Sequence, residues 1–402
     1  MDGFAYEKGR LMAIELNAGD TLCKEGDIAN EMYILVDGAL EIFRRDKRGR
    51  DKKISEIAAK NSIFGEVGAI LKQPRSATIR AKQHTVLQAI DVRKKALDET
   101  ILSQPRLGLS ISFNLARYIK ETNDRLSQYT QFLNEIRKLS DEYLLFYYQK
   151  SKACGELYDQ THFAWAKTIY DKAKSHMCYG MGEGVAGGKD IMSSGPPPPP
   201  PPPTSENAAG IAGGRQFQPG EILCKEGDEG REIFILQTGT LEVQVGGRKV
   251  AEIKDKGAVI GEIAVLSGYA SRTFEKRTAT IMARDAATVI VIDGTKLEAV
   301  ITANPQLILF VTKVLSERLP GTNNSLLQVD EQIKKYMALL DSTGVTTMTL
   351  INAYELLRTN LKSSASDKPQ AEGWETEVDS RLNDMKEKAR SINDQYAELV
   401  KK

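Results

Sequence analysis

Residues 64–78 read FGEVGAILKQPRSAT, with the pair Gly65–Glu66 placed nine residues before Arg75. A helix that opens at Gly65 would point unpaired backbone N–H groups at an anion. Arg75 would add a forked, charged donor suited to phosphate. Glu66 can accept a hydrogen bond from a sugar hydroxyl. The segment therefore predicts a site for a phosphate and a ribose.

The segment resembles the phosphate-binding cassette of the cyclic nucleotide-binding domain family, that of the catabolite activator protein and the kinase regulatory subunits. Its spacing matches the family's without a gap. The resemblance implies a jelly-roll type β-roll with flanking helices, and cAMP or cGMP as the ligand. It also implies a first cyclic nucleotide-binding site, site one, made of Gly65, Glu66, Val67, Arg75, Ser76 and Ala77.

The chain contains the same domain twice. Residues 22–27 and 223–228 both read LCKEGD, and YILVDGALEI is matched later by FILQTGTLEV. Short β-branched or alternating runs between glycines are typical of a β-roll. We predict a mixed fold of two cyclic nucleotide-binding-like β-rolls, each followed by α-helical extensions. The predicted boundaries are 12–125 for domain one, 126–177 for a helical extension, 178–212 for a Gly/Pro-rich linker, 213–320 for domain two and 321–402 for a helical C-terminal region with a heptad tail.

The second cassette differs from the first in spacing. Fifteen residues separate Glu262 from Arg277, which is in register with the following strand, while Arg272 lies nearer the usual distance. We favour Arg277. Six extra residues could loop out or block the pocket, so we expect weaker binding or none. Site two would comprise Gly261, Glu262, Ile263, Arg277, Thr278 and Ala279.

One position upstream departs from the family. Where the family usually has a second glycine after KEGD, the first copy has Ala29 and the second has Gly230. If that position needs a positive φ, Ala29 is strained or the turn is altered. In the resembling family the helix after the β-roll caps the base, and Arg117, Thr122 and Asn123 are the polar candidates for that contact.

Two stretches predict long helices with apolar seams. Residues 109–154 hold no glycine or proline, and 378–399 carry apolar residues at alternating spacings of four and three. Such heptads favour a coiled coil and self-association into a homo-oligomer. The tail could instead pack on another helix of this chain, for example 348–361.

Between the domains, eight prolines at 196–203 predict a polyproline II spacer, which we favour over a ligand for a proline-reading domain.

Composition excludes several classes of protein. A formal net charge of +1 gives no global case for binding nucleic acid or an acidic membrane. The absence of a long apolar run or a signal-peptide core predicts no membrane segment and a cytoplasmic location. Four cysteines and three histidines are scattered, so we expect neither a disulfide framework nor a metal site. No nucleophile–base pair or Walker loop stands out, so we expect no enzyme.

The leading hypothesis is a non-enzymatic sensor that binds a cyclic mononucleotide and transmits the signal through its capping helices to a protein partner that the sequence does not name. A transcription regulator of the catabolite-activator type would need a recognition helix, yet 341–361 carries only one basic residue, Arg358. A kinase regulatory subunit would need a basic inhibitory segment before the first domain, where only a short stretch precedes it. A scaffold with vestigial nucleotide sites is the remaining alternative.

Overall fold

The structure, a computed structural model, describes residues 12–45, 49–71, 73–92, 94–189, 214–269, 273–340, 349–366 and 368–401. They divide into two compact units. The first takes its described residues from 1–122 and 200–322, and the second from 123–199 and 323–402.

Domain one, in the first unit, is a β-roll of two four-stranded sheets whose neighbouring strands are antiparallel. Side chains from both sheets, such as Leu35 and Leu40, are fully buried in one shared core. The strands are β1 Met12–Leu16, β2 Thr21–Cys23, β3 Glu31–Asp37, β4 Leu40–Arg45, β5 Asp51–Ile57, β6 Ile63–Phe64, β7 Thr78–Ala81 and β8 Thr85–Asp91. Their orders are β1-β8-β3-β6 and β2-β7-β4-β5.

Domain two repeats this topology strand for strand. Its orders are β9-β16-β11-β14 and β10-β15-β12-β13, and Phe234 and Leu241 are buried in its core. The strands are β9 Arg215–Phe217, β10 Ile222–Cys224, β11 Glu232–Thr238, β12 Leu241–Val245, β13 Arg248–Ile253, β14 Val259–Ile260, β15 Thr280–Ala283 and β16 Ala287–Asp293. The prediction of two β-rolls with helices is confirmed.

Helices complete the first unit and join its two domains. They are α1 Glu66–Leu71, α2 Lys94–Ser103, α6 Glu262–Tyr269, a 3-10 turn Gly294–Lys296, α7 Leu297–Ala303, and the beginnings of α3 Pro105–Thr161 and α8 Pro305–Leu340. The helices α3 and α8 meet where Ser112 and Thr312, which occupy matching positions of the two copies, share a hydrogen bond with 2.6 Å between their hydroxyl oxygens. Nearby, Lys313 pairs with Asp98 at 2.6 Å.

The second unit is a helical bundle. It combines the remaining parts of α3 and α8 with α4 Ala164–Lys174, α5 Met177–Ala186, α9 Thr349–Ala365 and α10 Pro369–Lys401. Tyr354 is fully buried and donates a hydrogen bond to the backbone oxygen of Tyr143 at 2.8 Å. The hydroxyl of Tyr143 donates in turn to Asp384 at 2.5 Å. Large aromatic side chains therefore fill this core, and these two hydroxyls find acceptors within the bundle, one of them the partly exposed Asp384.

Both predicted seams are largely buried within the chain, and self-association through them stays a prediction. Leu382 and Met385 of the tail lie in the same core as Leu357 of α9. The seam of α3 is buried too, and the helix continues through Ser140, whose hydroxyl bonds the backbone oxygen of Ile136 at 2.9 Å. A seam covered by its own chain does not itself require a second copy to bury its apolar side chains. The alternative of packing on the helix near 348–361 fits the tail.

The linker prediction is corrected in part. Residues predicted as linker from 178 onward begin inside α5, which ends at Ala186. The proline run at 196–203 lies outside the described residues. The predicted boundaries at 125 and 320 fall inside the continuous helices α3 and α8.

Taken singly, no helix of the described residues is long and apolar enough to span a membrane, although the bent pair Gly294–Ala303 and Pro305–Leu340 passes by length and composition when joined.

Candidate functional site

Arg75 is buried, with 7% of its surface exposed, next to the start of α1. Its Nη1 donates to the backbone oxygen of Gly65 at 3.1 Å, and its Nη2 donates to that of Glu31 at 2.7 Å and to the hydroxyl of Tyr33 at 3.2 Å. The guanidinium carbon lies 5.1 Å from the centre of the Tyr33 ring. The Nε is buried and has no hydrogen-bond partner among the residues that the structure describes. A buried cation with an unused donor is the feature an anionic ligand would satisfy.

The turn KEGD fixes the backbone of this arginine. The Arg75 N–H donates to the oxygen of Asp27 at 2.7 Å, and the Gly26 N–H donates to the oxygen of Arg75 at 2.8 Å. The hydroxyl of Thr78, at the start of the next strand, accepts from the Glu25 N–H at 3.0 Å. Gly26 has a φ of +94°, which favours glycine there. The identical repetition of LCKEGD is the sequence signal for these backbone contacts, although repetition alone does not indicate that the turn holds Arg75.

Arg277 occupies the position in domain two that Arg75 occupies in domain one. Its Nη2 donates to the oxygen of Glu232 at 2.6 Å and its Nη1 to that of Gly261 at 3.4 Å. Its Nε is buried, and no described residue is its hydrogen-bond partner, as in the first copy. The backbone hydrogen bond to the turn recurs, since the Arg277 N–H donates to the backbone oxygen of Asp228 at 2.7 Å.

The extra length of the second cassette is absorbed in two places. Helix α6 is eight residues long against six for α1. The segment after it pairs with the turn, since the Gly230 N–H donates to the oxygen of Glu275 at 2.8 Å and Glu229 forms a β-bridge with Lys276. Arg272, the alternative at the usual spacing, lies outside the described residues.

The glycines of the two cassettes are required by backbone conformation and by space. Gly65 has a φ of +76° and Gly261 a φ of +79°. A Cβ on Gly65 would lie 2.6 Å from Arg75 Nη1, and one on Gly261 would lie 2.0 Å from Arg277 Nη1. Any side chain here would push the arginine away.

The two cassette glutamates differ. Glu66 is half-buried, and among the described side chains none donates a hydrogen bond to its carboxylate. Burial raises the pKa of Glu66, and the charge of Arg117 partly offsets that shift. Glu262 is only 1% exposed, and its Oε1 accepts a hydrogen bond from Arg318 Nη1 of α8. Arg318 lies in no recognisable sequence motif, so spacing could not have identified it.

The other predicted site residues lie next to the helix starts and the arginines of the two cassettes. Val67 and Ile263 are the second residues of α1 and α6. Ser76 and Thr278 are exposed directly after the arginines, and Ala77 and Ala279 are half-buried.

Of the three candidates for the contact with the base, Arg117 and Asn123 are exposed. Thr122 is buried and its hydroxyl donates to the oxygen of Tyr118 at 2.9 Å, which leaves it a poor candidate.

The departure at Ala29 has a packing explanation. Neither Ala29 nor Gly230 has a positive φ, so the expected strain does not arise. A Cβ on Gly230 would lie 2.5 Å from the Cβ of Ala264, whereas a Cβ on Gly68 would lie 3.4 Å from that of Ala29. Each copy therefore places one alanine and one glycine at this contact, in opposite order.

Comparison with known proteins agrees with this geometry. A family model described as cyclic nucleotide-binding domain matches residues 13–101 and 214–304. The chain is similar to a CRP-like cAMP-activated global transcriptional regulator of Mycobacterium tuberculosis, 27% identical over 118 residues that cover 29% of this chain and 51% of the regulator. It is similar to the cyclic nucleotide-gated channel beta-3 of Canis lupus familiaris, 28% identical over 163 residues that cover 37% of this chain and 20% of the channel.

A third relative is the cAMP-dependent protein kinase regulatory subunit of Blastocladiella emersonii, 31% identical over 86 residues that cover 21% of each chain. The matches span between about a fifth and about half of these three relatives. The chain carries two tandem domains of the cyclic nucleotide-binding family. Its relatives are a regulator, a channel and a kinase subunit, so the domain family alone does not fix what the whole protein acts on.

Proposed function

We propose that the protein is a non-enzymatic sensor that binds a cyclic mononucleotide, cAMP or cGMP, at site one and passes the signal to a protein partner through the helix that follows the β-roll. The observation that carries this proposal is the buried guanidinium of Arg75, which has an unpaired Nε beside the start of α1. The phosphate would supply the missing acceptor and the negative charge. Glu66, nine residues before Arg75 in the chain, would accept a hydrogen bond from a ribose hydroxyl.

Burial of both charged groups supports a ligand at this place. Keeping an arginine and a glutamate away from water is costly unless each is paired. The guanidinium of Arg75 donates hydrogen bonds to two backbone oxygens, which offset part of the cost of its burial. The raised pKa of Glu66 shows that its partners do not fully offset the cost of burying its ionised carboxylate. A ribose hydroxyl would give that carboxylate a donor.

Two interactions in the first unit support a route from site one to the following helix. Arg117 of α3 acts on Glu66 through its charge, and Ser112 of the same helix contacts Thr312 of α8. A ligand shifts such a helix only if it binds one helix position better than the other. We therefore place the output in α3.

The DNA-binding alternative receives less support. Residues 341–348 of its candidate motif lie outside the described residues, and the rest falls in α9. There Leu350, Tyr354 and Leu357 are buried in the helical core. Arg358 is paired with Glu355 at 3.0 Å and Asp379 at 2.9 Å. A helix packed and paired in this way offers little to a DNA groove.

Thermal unfolding of the whole chain with cAMP, cGMP or 5′-AMP tests the proposal. A cyclic nucleotide should raise the unfolding temperature, because a ligand that binds only the folded state stabilises it. The acyclic 5′-AMP should do so far less, and recovery of unchanged nucleotide should accompany binding. No stabilisation by either cyclic nucleotide at millimolar concentration would contradict the proposal.

A further inference from the structure

Strand β4 places an arginine next to the cassette of site one. The Nε of Arg44 donates a hydrogen bond to the backbone oxygen of Ser76 at 3.2 Å, and Ser76 directly follows Arg75 in the chain. No described residue accepts a hydrogen bond from the Nη1 or the Nη2 of Arg44. Arg44 is exposed, so these two terminal nitrogens are accessible to a ligand.

The alternation of side chains along β4 places Arg44 on the inner face of the roll. Ile42 lies opposite Ile79 in the pairing of β4 with β7, and Leu40 and Ile79 belong to the core of domain one. Side chains two residues apart on a strand point to the same face of a sheet. Arg44 therefore continues the face of Leu40 and Ile42 toward the end of β7 that follows the cassette. Its neighbour Arg45 lies on the outer face.

Domain two has a valine where domain one has this arginine. The backbone N–H of Arg45 donates to the glutamate of its KEGD turn at 2.9 Å, and that of Gly246 donates to the equivalent glutamate at 2.7 Å. The residues directly before them, Arg44 and Val245, therefore correspond. Val245 is 43% exposed and carries no charge. The two sites thus differ by one cation on this face.

We propose that Arg44 is a second cation of site one, which attracts the phosphate of a bound cyclic nucleotide in addition to Arg75. The proposal rests on the proposed function and names a further residue of that same site. The bond to Ser76 already orders the Arg44 side chain, so less conformational freedom is lost when a ligand binds. The valine of domain two is then a reason for weaker binding at site two, besides the longer cassette.

Calorimetric titration with cAMP and with cGMP, at low and at high salt, tests this role. An Arg277→Ala background confines binding to site one. Arg44→Val, which installs the residue of domain two, should weaken the binding of both nucleotides by about two- to fivefold at low salt, the range of an exposed ion pair. The loss should shrink at high salt, because salt screens an exposed charge. Arg44→Lys keeps the charge and should retain most of the affinity.

Arg45→Val is the matched control, because it removes the adjacent exposed cation from the outer face of the same strand. It should leave the affinity and its salt dependence unchanged. A loss in this variant as large as in Arg44→Val would overturn the proposal, since the effect would then belong to the charge of the whole strand.

Three results at Arg44 itself would also overturn it. One is an unchanged affinity after Arg44→Val. Another is an equal loss in Arg44→Lys, which would assign the effect to the hydrogen bond with Ser76 and not to the charge. The third is a loss confined to cAMP or to cGMP, which would assign Arg44 to the base. In each case the proposed function stands, because site one still binds. If the chain with its natural residues binds neither nucleotide, the proposed function fails and this role of Arg44 fails with it.

Discussion

In both copies the cassette arginine lies against the same two backbone oxygens, Gly65 and Glu31 in domain one and Gly261 and Glu232 in domain two. The cassette glutamates differ, because Glu262 is bonded to an arginine from the following helix, whereas Glu66 has no such donor in the described structure. The contacts of the arginine are therefore duplicated, and those of the glutamate are not.

The difference teaches which part of a duplicated site is free to diverge. The arginine is held by backbone atoms and by the KEGD turn, so a change there would disturb the roll itself. Glu262 accepts a hydrogen bond from Arg318 of the following helix, where the first copy has Tyr118 at the matching position. That position can change without disturbing a strand, so the two sites can differ in affinity while sharing a fold.

The largest expected effect comes from Arg75→Ala. Loss of a buried charge contact to the phosphate should weaken binding at site one by about 2–5 kcal/mol, or roughly 30- to 4,000-fold. Arg80→Ala is the matched control, because Arg80 of β7 is partly exposed and pairs with Asp51 at 2.5 Å. Calorimetry with cAMP and cGMP measures both variants. Equal affinities for the two variants would remove Arg75 from the site.

A second prediction uses the exchanged alanine and glycine. Gly230→Ala should destabilise domain two by about 1–3 kcal/mol through overpacking, since the new Cβ would lie 2.5 Å from that of Ala264. Adding Ala264→Gly restores the order seen at Ala29 and Gly68. The double variant should recover most of the lost free energy of unfolding in a denaturant titration. A double variant as unstable as the single one would show that the contact is not the cause.

The pH dependence of site one should follow Glu66. Burial raises its pKa above the usual 4.5, and the ribose needs the ionised acceptor. Affinity should therefore fall as the pH is lowered through the raised pKa of Glu66, by at most about tenfold per pH unit, and stay level well above it. Titrations from pH 4.5 upward to neutrality are expected to show this slope, and Glu66→Gln should abolish it. A slope that persists in Glu66→Gln would assign it to another group.

The raised pKa of Glu66 has the opposite pH dependence for the stability of the domain without ligand. The folded state holds the Glu66 proton more tightly than the unfolded chain does, so the contribution of Glu66 to the free energy of unfolding is greatest below pH 4.5. It is lost as the pH rises through the raised pKa. Bound nucleotide should offset that loss.

The smallest effect is expected for Tyr33→Phe. The Tyr33 hydroxyl accepts from Arg75 Nη2 at 3.2 Å and donates to Glu31 at 3.0 Å, while domain two has Phe234 under its arginine. Removing the hydroxyl should weaken site one by about 0.5–1.5 kcal/mol, or two- to tenfold. Calorimetry on Tyr33→Phe measures the shift. A loss as large as that of Arg75→Ala would mean that Tyr33 contacts the ligand itself.

Much of this arrangement was readable from residue types and spacing. The repeated LCKEGD and the ungapped cassette predicted two β-rolls, and Arg277 was chosen over Arg272 because it keeps register with the next strand. These signals are local. A turn, a helix start and a strand fix them within a few residues, so spacing carries the information.

Other features could not be read in the same way. The heptad seams predicted self-association, because periodicity shows that a face is apolar but not which surface covers it. Leu382 and Tyr143 in fact share one core within the chain. The Arg318–Glu262 pair joins residues 56 positions apart, and no motif announces such a contact. Glycine-rich residues around 178–186 suggested a linker but form α5, where Gly182 lets the backbone of Leu144 approach, since a Cβ there would lie 2.3 Å from its oxygen.

The most direct test of the account is a calorimetric titration of the unaltered chain with cAMP and then with cGMP. We predict one tight site for a cyclic mononucleotide that disappears with Arg75→Ala, and a second site that is weaker or silent. Two equal tight sites, an unchanged stoichiometry after Arg75→Ala, or no binding of either nucleotide would contradict it.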